Sequence, residues 1–366
     1  MCPLNETGMD TSTNEDWDDI REPEPVAKKP LVTRRGLLAL GSTLAVGGAS
    51  GGLLAGKTRA PELSAKGLRK VKLAWNPVSL CLSPALAAQE FGIYEKHGLD
   101  VELVNYGGTS DLLLEAMSTG KAEFGVSMIL RWIKPMEQGF DVKFIGGTHG
   151  GCSRIAGSRS LGIEPGDPKS LRGKVIGVSD IRGSARNTFT VLLKAHGLNP
   201  FTDVEWKSFP PAMLGEAVKR REVHAIAESD PVLYMLQKQS GGDLVEVMTN
   251  LSHPWEDRVC CVLAVRGDYL RENRETSKAL ALALQSAASI CNENPEAVAK
   301  VFLPHAKAPL EDLIAVLKSQ THDEAPVGQG QWDDVFLYTK ELLDVGIMSP
   351  KTKPVEFTNR IVDVLA

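Results

Sequence analysis

The side chains with the most chemistry to offer stand in two short runs far apart in the chain. His149 and Cys152 lie three residues apart in Thr148-His149-Gly150-Gly151-Cys152, and Cys260 is followed directly by Cys261. Imidazole and thiolate together suit zinc or copper(I). Two thiols can also oxidise to a disulfide, and a buried cysteine otherwise packs as a small apolar residue. On a strand, neighbouring side chains point to opposite faces, so only one of Cys260 and Cys261 is expected to face Cys152. Apolar packing, a Cys152 disulfide and a soft-metal site all remain open from the residues. None demands a cofactor, and the chain has no Gly-x-Ser-x-Gly elbow, phosphate loop, His-Glu-x-x-His or Cys-x-x-Cys.

A second set is polar and suited to holding a small molecule. Gly107-Gly108-Thr109-Ser110 and Gly183-Ser184 stand where strands turn into helices. Hydroxyls and N–H groups at a positive helix end accommodate carboxylate or sulfonate oxygens, and the same hydroxyls serve as caps. Glu228 can accept a bond from a ligand amine or stand solvated at a strand end. Asp230, directly before Pro231, can bind or cap its helix. Trp75 can stack on a planar ligand or fill core, and Asn76, Ser127 and Met128 follow it as strand-end candidates.

These residues need a scaffold that gathers strand ends. Alternation and turn residues predict strands at 71–75, 100–104, 122–128, 142–147, 174–178, 203–209, 223–227, 244–249 and 258–265. Helices are expected from Ser83, with Pro84 at its first position, and over 111–118, 184–196 and 212–221, then after Pro231. From residue 276 onward the pattern is helical, at 276–292, 295–302, 310–319, 331–345 and 355–365. Strand–helix alternation of this kind builds mostly parallel sheets with helices on both faces, and ligands bind at the carboxyl ends of the strands. The expected layout is a first part of lobe 1 at 68–155, lobe 2 at 156–257, and a crossing strand with a helical return to lobe 1 at 258–366. The apolar stretch 279–290 is too short for a membrane span and reads as a buried helix.

Residues 1–60 stand apart. Residues 1–24 carry eight acidic side chains and read as a solvated tail. Lys28-Lys29 and Thr33-Arg34-Arg35-Gly36-Leu37-Leu38 then precede an uncharged stretch, 36–56, in which seven of 21 residues are Gly. That resembles a twin-arginine export signal, with Ala39 where a basic residue is usual. Cleavage has no clear site, so an uncleaved anchor stays open, and no Cys in or just after the segment offers itself for a lipid.

Composition narrows the classes. With 43% hydrophobic residues the 366-residue chain is not disordered, and a net charge of −5 without a basic block beyond the N-terminus argues against nucleic acid as the main partner. Six cysteines are too few for a disulfide scaffold. Cys81, Cys152, Cys260, Cys261 and Cys291 remain after the signal, an odd number, so at least one thiol is free or intermolecular.

Several stretches carry a family resemblance: Trp75-Asn76, the run Phe91-Gly92-Ile93-Tyr94-Glu95-Lys96-His97-Gly98-Leu99-Asp100-Val101-Glu102, Gly107-Gly108-Thr109-Ser110, Gly125-Val126-Ser127, and Gly177-Val178 with Gly183-Ser184. The chain resembles the nitrate, sulfonate and taurine class of ABC-transporter substrate-binding proteins, related to the thiamine-pyrimidine precursor binders. The resemblance implies an α/β, two-lobed, periplasmic binding protein-like clamshell of type II, its two mixed and mostly parallel sheets joined by two crossing strands. It also implies an exported monomer with a small-molecule ligand, an ABC permease and the export machinery as partners. The ligand residues would be Trp75, Asn76, Gly108, Thr109, Ser110, Ser127, His149, Cys152, Gly183, Ser184, Glu228 and Asp230. Alternative readings are a thiamine-pyrimidine synthase-like enzyme, of whose Cys-rich motif Cys260-Cys261 would be a fragment, and a membrane-tethered ligand sensor.

Overall fold

Ten strands form two five-stranded sheets in a computed structural model that describes residues 61–77, 79–107, 110–322 and 326–365. The export-type segment, Gly108 and Thr109 lie outside the described residues, and of Ser110 only the backbone is described. Lobe 1 is built on β1 (Arg69–Trp75), β2 (Leu99–Asn105), β3 (Phe124–Met128), β4 (Val142–His149) and β10 (Cys261–Arg266). Lobe 2 is built on β5 (Ser153–Ser158), β6 (Lys174–Val178), β7 (Val204–Ser208), β8 (Ala225–Ser229) and β9 (Leu244–Thr249). The strand orders are β2-β1-β3-β10-β4 and β7-β6-β8-β5-β9.

Each sheet thus has one strand running against its neighbours. β10 is antiparallel to both β3 and β4, and β5 to both β8 and β9. These two strands follow the points where the chain crosses between lobes, at residues 150–152 and 250–260. The mixed, mostly parallel two-lobed α/β architecture expected from the sequence is therefore present.

Pleating explains why both faces of each sheet are covered. In lobe 1, Leu73, Trp75, Leu263 and Val265 pack into one apolar cluster, while the intervening Ala74, Val262 and Ala264 pack into another. The helix Arg274–Glu293 covers the first face through Leu280, Leu284 and Ala287. The helices Gln329–Asp344 and Pro354–Ile361 add Val335, Leu342, Phe357 and Ile361 to the second face, beside Trp132 and Phe144. Lobe 2 repeats the scheme, with Ile155 and Ala227 on one side and Ala156 and Ile226 on the other. No helix among the described residues is long and apolar enough to cross a membrane.

The helix Ile129–Met136 was not expected from the sequence, and two differences fall at the crossings. β5 occupies residues to which the sequence reading assigned no element: Ser153-Arg154-Ile155-Ala156-Gly157-Ser158 is short, mostly small and without strict alternation, because neighbouring strands flank it on both sides. The second crossing strand begins at Cys261 rather than at 258, since Trp255 and Arg258 make local turn bonds and the Val259 N–H goes to the Asp334 carboxylate; Cys260 bonds His149 and Ile129 just before the ladder.

Candidate functional site

The carboxyl ends of β1, β3, β6 and β8 lead into the face where the two lobes meet, and described side chains there bridge it. Ser79, in the loop after β1, donates its hydroxyl to the Asp230 carbonyl of lobe 2 at 2.9 Å. The Leu80 N–H reaches the same carbonyl at 3.4 Å. At the ends of β3 and β8 the Ser229 hydroxyl points to the Met128 sulfur, 3.6 Å away. The Asn187 amide, in the helix Ser184–Ala195, donates to the Leu130 carbonyl at 2.9 Å. The lobes are therefore in contact across this face.

The main charge in this face is Arg131, on the helix Ile129–Met136 that follows β3. Its guanidinium is 5% exposed and grips Asp111 with two bonds, Nε to Oδ1 at 2.8 Å and Nη2 to Oδ2 at 2.7 Å. Its remaining Nη1 pairs with Asp180, in the loop after β6, and so ties lobe 1 to lobe 2. Burial alone would raise the Asp180 carboxyl, but the Arg182 N–H and the Arg131 guanidinium outweigh it and hold that acid below its ordinary range. Arg131 was not among the residues singled out from the sequence. Its signal was a lone cation inside the apolar run Met128-Ile129-Leu130-Arg131-Trp132-Ile133.

The sequence-derived candidates fall into three groups. Trp75 is core: it is 3% exposed, donates to the Leu82 carbonyl at 3.3 Å and meets His305 edge-on at 5.5 Å. Asn76 and Ser127 are fully buried, and the Ser127 hydroxyl has no hydrogen-bond partner among the described residues. Asp230 is also buried, locked by the Arg154 Nε at 2.9 Å and by the Tyr234 N–H at 3.1 Å. That geometry makes its side chain a brace inside lobe 2, and only its carbonyl faces lobe 1. Gly183 takes the N-cap position that the sequence offered to Ser184, and Ser184 becomes the first residue of its helix. Ser83 likewise is the first helical residue, with Leu82 at the cap.

Glu228, at the end of β8, is buried and accepts the Ser179 N–H at 3.2 Å and the Ser229 N–H at 2.9 Å. Burial pushes its carboxyl up from the ordinary 4.5, and the two N–H groups only partly offset this. A carboxyl raised in the fold contributes stability that is complete below its ordinary value and is lost as the pH rises through the raised one. This group's share of the wild type's stability should therefore fall over the range above pH 4.5. Glu228→Gln should lack that share, so its thermal midpoint should gain on that of the wild type as the pH rises, and a constant difference between the two proteins would mean that the carboxyl is not desolvated.

His149 and Cys152 lie beside the crossings with Cys260 and Cys261, where the Cys152 carbonyl accepts the Asp230 N–H at 3.1 Å and the Cys260 carbonyl accepts the Ile129 N–H at 2.7 Å. Contrary to the strand rule, both Cys260 and Cys261 reach this cluster. Cys260 stands just before the ladder, where its N–H bonds the His149 carbonyl at 2.9 Å, and the register shifts between Cys261 and Val262. Cys81, from the short helical turn Leu80–Leu82, joins them and was not connected to them from sequence. A groove of about 1040 Å³, lined among others by Lys70, Glu102, Lys121, Arg266 and Tyr269, opens at the opposite edge of sheet 1 and has no part in the lobe interface.

With this geometry in place the chain can be compared with known proteins. Residues 81–298 match the family described as NMT1/THI5 like. The chain belongs to that family. Among curated proteins the sequence has no match. The periplasmic nitrate-binding protein of Synechocystis PCC 6803 superposes with a TM-score of 0.64 at 19% identity, over 83% of this chain and 87% of that one. The periplasmic aliphatic sulphonate-binding protein of Escherichia coli gives 0.65 at 15%, over 81% and 92%. The alkanesulfonate-binding protein of Xanthomonas axonopodis pv. citri bound to MOPS gives 0.62 at 15%, over 80% and 98%. The NMT1/THI5-like chain therefore has the periplasmic binding protein fold, as the resemblance implied.

Proposed function

We propose that this chain is an extracytoplasmic solute-binding protein that closes its lobes over a small polar organic or oxyanion ligand and presents the closed form to an ABC permease. The observation that supports this most directly is the Arg131 bridge. One buried cation on lobe 1 holds a carboxylate of its own lobe and a carboxylate of lobe 2. A sulfonate, nitrate or carboxylate entering the face can take the place of Asp180 on Arg131, so ligand contacts and lobe contacts share the same group. Closure is then a population shift set by contacts that bridge the lobes. Glu228 and Ser184 offer an acceptor and a hydroxyl from lobe 2. No covalent step is needed. The relatives named above are binding proteins, which agrees with a non-enzymatic role outside the cytoplasmic membrane.

The test is native mass spectrometry of the full chain, with nitrate, taurine, an alkanesulfonate and a hydroxymethylpyrimidine added one at a time. The expected result is a non-covalent adduct of one ligand, lost on denaturation and weakened in Ser184→Ala/Thr109→Ala without loss of the fold. Chemical conversion of the pyrimidine, or the absence of any adduct, would overturn the reading.

A further inference from the structure

Five cysteines fall within the described residues, all of them buried and unbridged, and four converge on one point. The Cys152 and Cys260 sulfurs are 3.5 Å apart, and the Cys81 and Cys261 sulfurs 3.3 Å. His149 stands among them. Its ring can place a nitrogen in mutual reach, within 4.8 Å, of the Cys81 and Cys152 sulfurs, and likewise of the Cys260 and Cys261 sulfurs. Neither ring nitrogen of His149 makes a hydrogen bond to a described residue, although the ring is fully buried. Beside it His322, equally buried and equally without a bond on either nitrogen, meets the His149 ring at 4.7 Å.

Simple apolar packing accounts for the thiols but not for the imidazole. A buried ring nitrogen without a partner is costly, and proteins rarely keep one without a use. A disulfide accounts for neither pair as it stands, because bonded sulfurs sit at about 2.05 Å. Sulfurs around one tetrahedral ion bonded at about 2.3 Å are instead roughly 3.8 Å apart, close to the separations found here. Donors of this softness select closed-shell thiophilic ions over magnesium or calcium.

We propose that Cys81, Cys152, Cys260, Cys261 and His149 form a binding site for one soft metal ion of the zinc(II) or copper(I) class. Two of the four thiols lose their protons to solvent as the ion binds, the other two keep theirs and complete the pocket, and His149 donates as a neutral imidazole. With two thiolates and the imidazole, a zinc(II) site is electrically neutral and a copper(I) site carries one negative charge. The donors come from both crossings between the lobes and from the turn after β1. The ion therefore ties the two connecting segments together at the hinge, and every donor is at most 6% exposed, so the role is structural rather than catalytic.

The test uses the full chain, purified without oxygen and loaded separately with zinc(II) and with copper(I) buffered by a competing chelator. Elemental analysis should show one equivalent of at least one ion, cobalt(II) should give thiolate charge-transfer bands, and the bound ion should shield the cluster from alkylation. Cys152→Ala and Cys261→Ala should lose most of the metal, whereas Cys291→Ala, whose buried thiol bonds Ser83 outside the cluster, should keep it. Metal-dependent shielding in the wild type keeps the test decisive if a variant fails to fold. Absence of both ions, alkylation unaffected by metal, or a Cys152–Cys260 disulfide seen as a reducible mass deficit would each overturn the proposal.

Discussion

Gly151→Ala is expected to lower the folding free energy by about 3 kcal/mol or more, the upper range for forcing extra volume into a packed site. A Cβ on residue 151 would lie 1.9 Å from the Asn250 carbonyl oxygen and 2.5 Å from its carbon. That carbonyl has little room to retreat, because Asn250 is tied on both sides. Its side-chain oxygen accepts the N–H groups of Cys152 at 2.9 Å and Ser153 at 2.7 Å, and its own N–H bonds the Ser153 carbonyl at 3.1 Å. The clash therefore falls between the two crossings and not on a yielding side chain. Urea denaturation reads the effect directly. Gly146→Ala is the control, since its nearest new contact would be the Ala281 methyl at 3.8 Å, and its midpoint should barely move. A wild-type midpoint for Gly151→Ala would mean that the crossings are not packed against each other as described.

Arg131→Met is expected to shift the protein toward open forms and to weaken ligand binding. The methionine keeps the apolar stem and removes the cation that both Asp111 and Asp180 depend on. Breaking a fully buried ion pair costs about 3–5 kcal/mol. Here the two carboxylates keep about a third of their exposure, with side-chain values of 37% and 30%, so water takes back part of the loss. A cost of about 2 kcal/mol to closure is the reasonable scale, which amounts to about 30-fold in the equilibrium. Small-angle scattering should show a larger radius for the variant, and titration with the ligand identified by mass spectrometry should show a matching loss of affinity. Unchanged scattering and affinity would remove Arg131 from the closing mechanism.

How far these features were legible in the sequence depended on whether their cause was local. The strand Lys174–Val178, the strand Leu244–Thr249 and the helix Pro295–Phe302 have the ends expected of them, because apolar pattern, turn residues and a Pro at the helix start all lie within a few positions. β5 was not visible, since a strand flanked by neighbours on both sides has no need of alternation and its partners Glu228 and Thr249 lie far along the chain. The same holds at the site. Glu228, Asp230 and Ser184 could be found from their places at strand and helix ends. That Asp230 would serve Arg154 internally, or that Arg131 would reach Asp180, depends on side-chain directions that no local pattern carries. The cysteines illustrate both sides: their soft chemistry was evident, whereas the bulge that brings Cys260 and Cys261 to one cluster, and the turn that adds Cys81, are tertiary facts.

The insertion of β10 between β3 and β4 has a consequence for synthesis. Lobe 2 is one continuous stretch, β5 to β9, and all five of its strands leave the ribosome before β10 does. Lobe 1 has no such independence. Until residues 261–266 emerge, β3 and β4 cannot be bridged and each presents an unpaired edge, so the sheet that holds β1 is the later of the two to be completed. A nascent chain of this topology must therefore hold its amino-terminal half unfinished while the middle third folds, and its opening lobe is the part most exposed to chaperones or to aggregation.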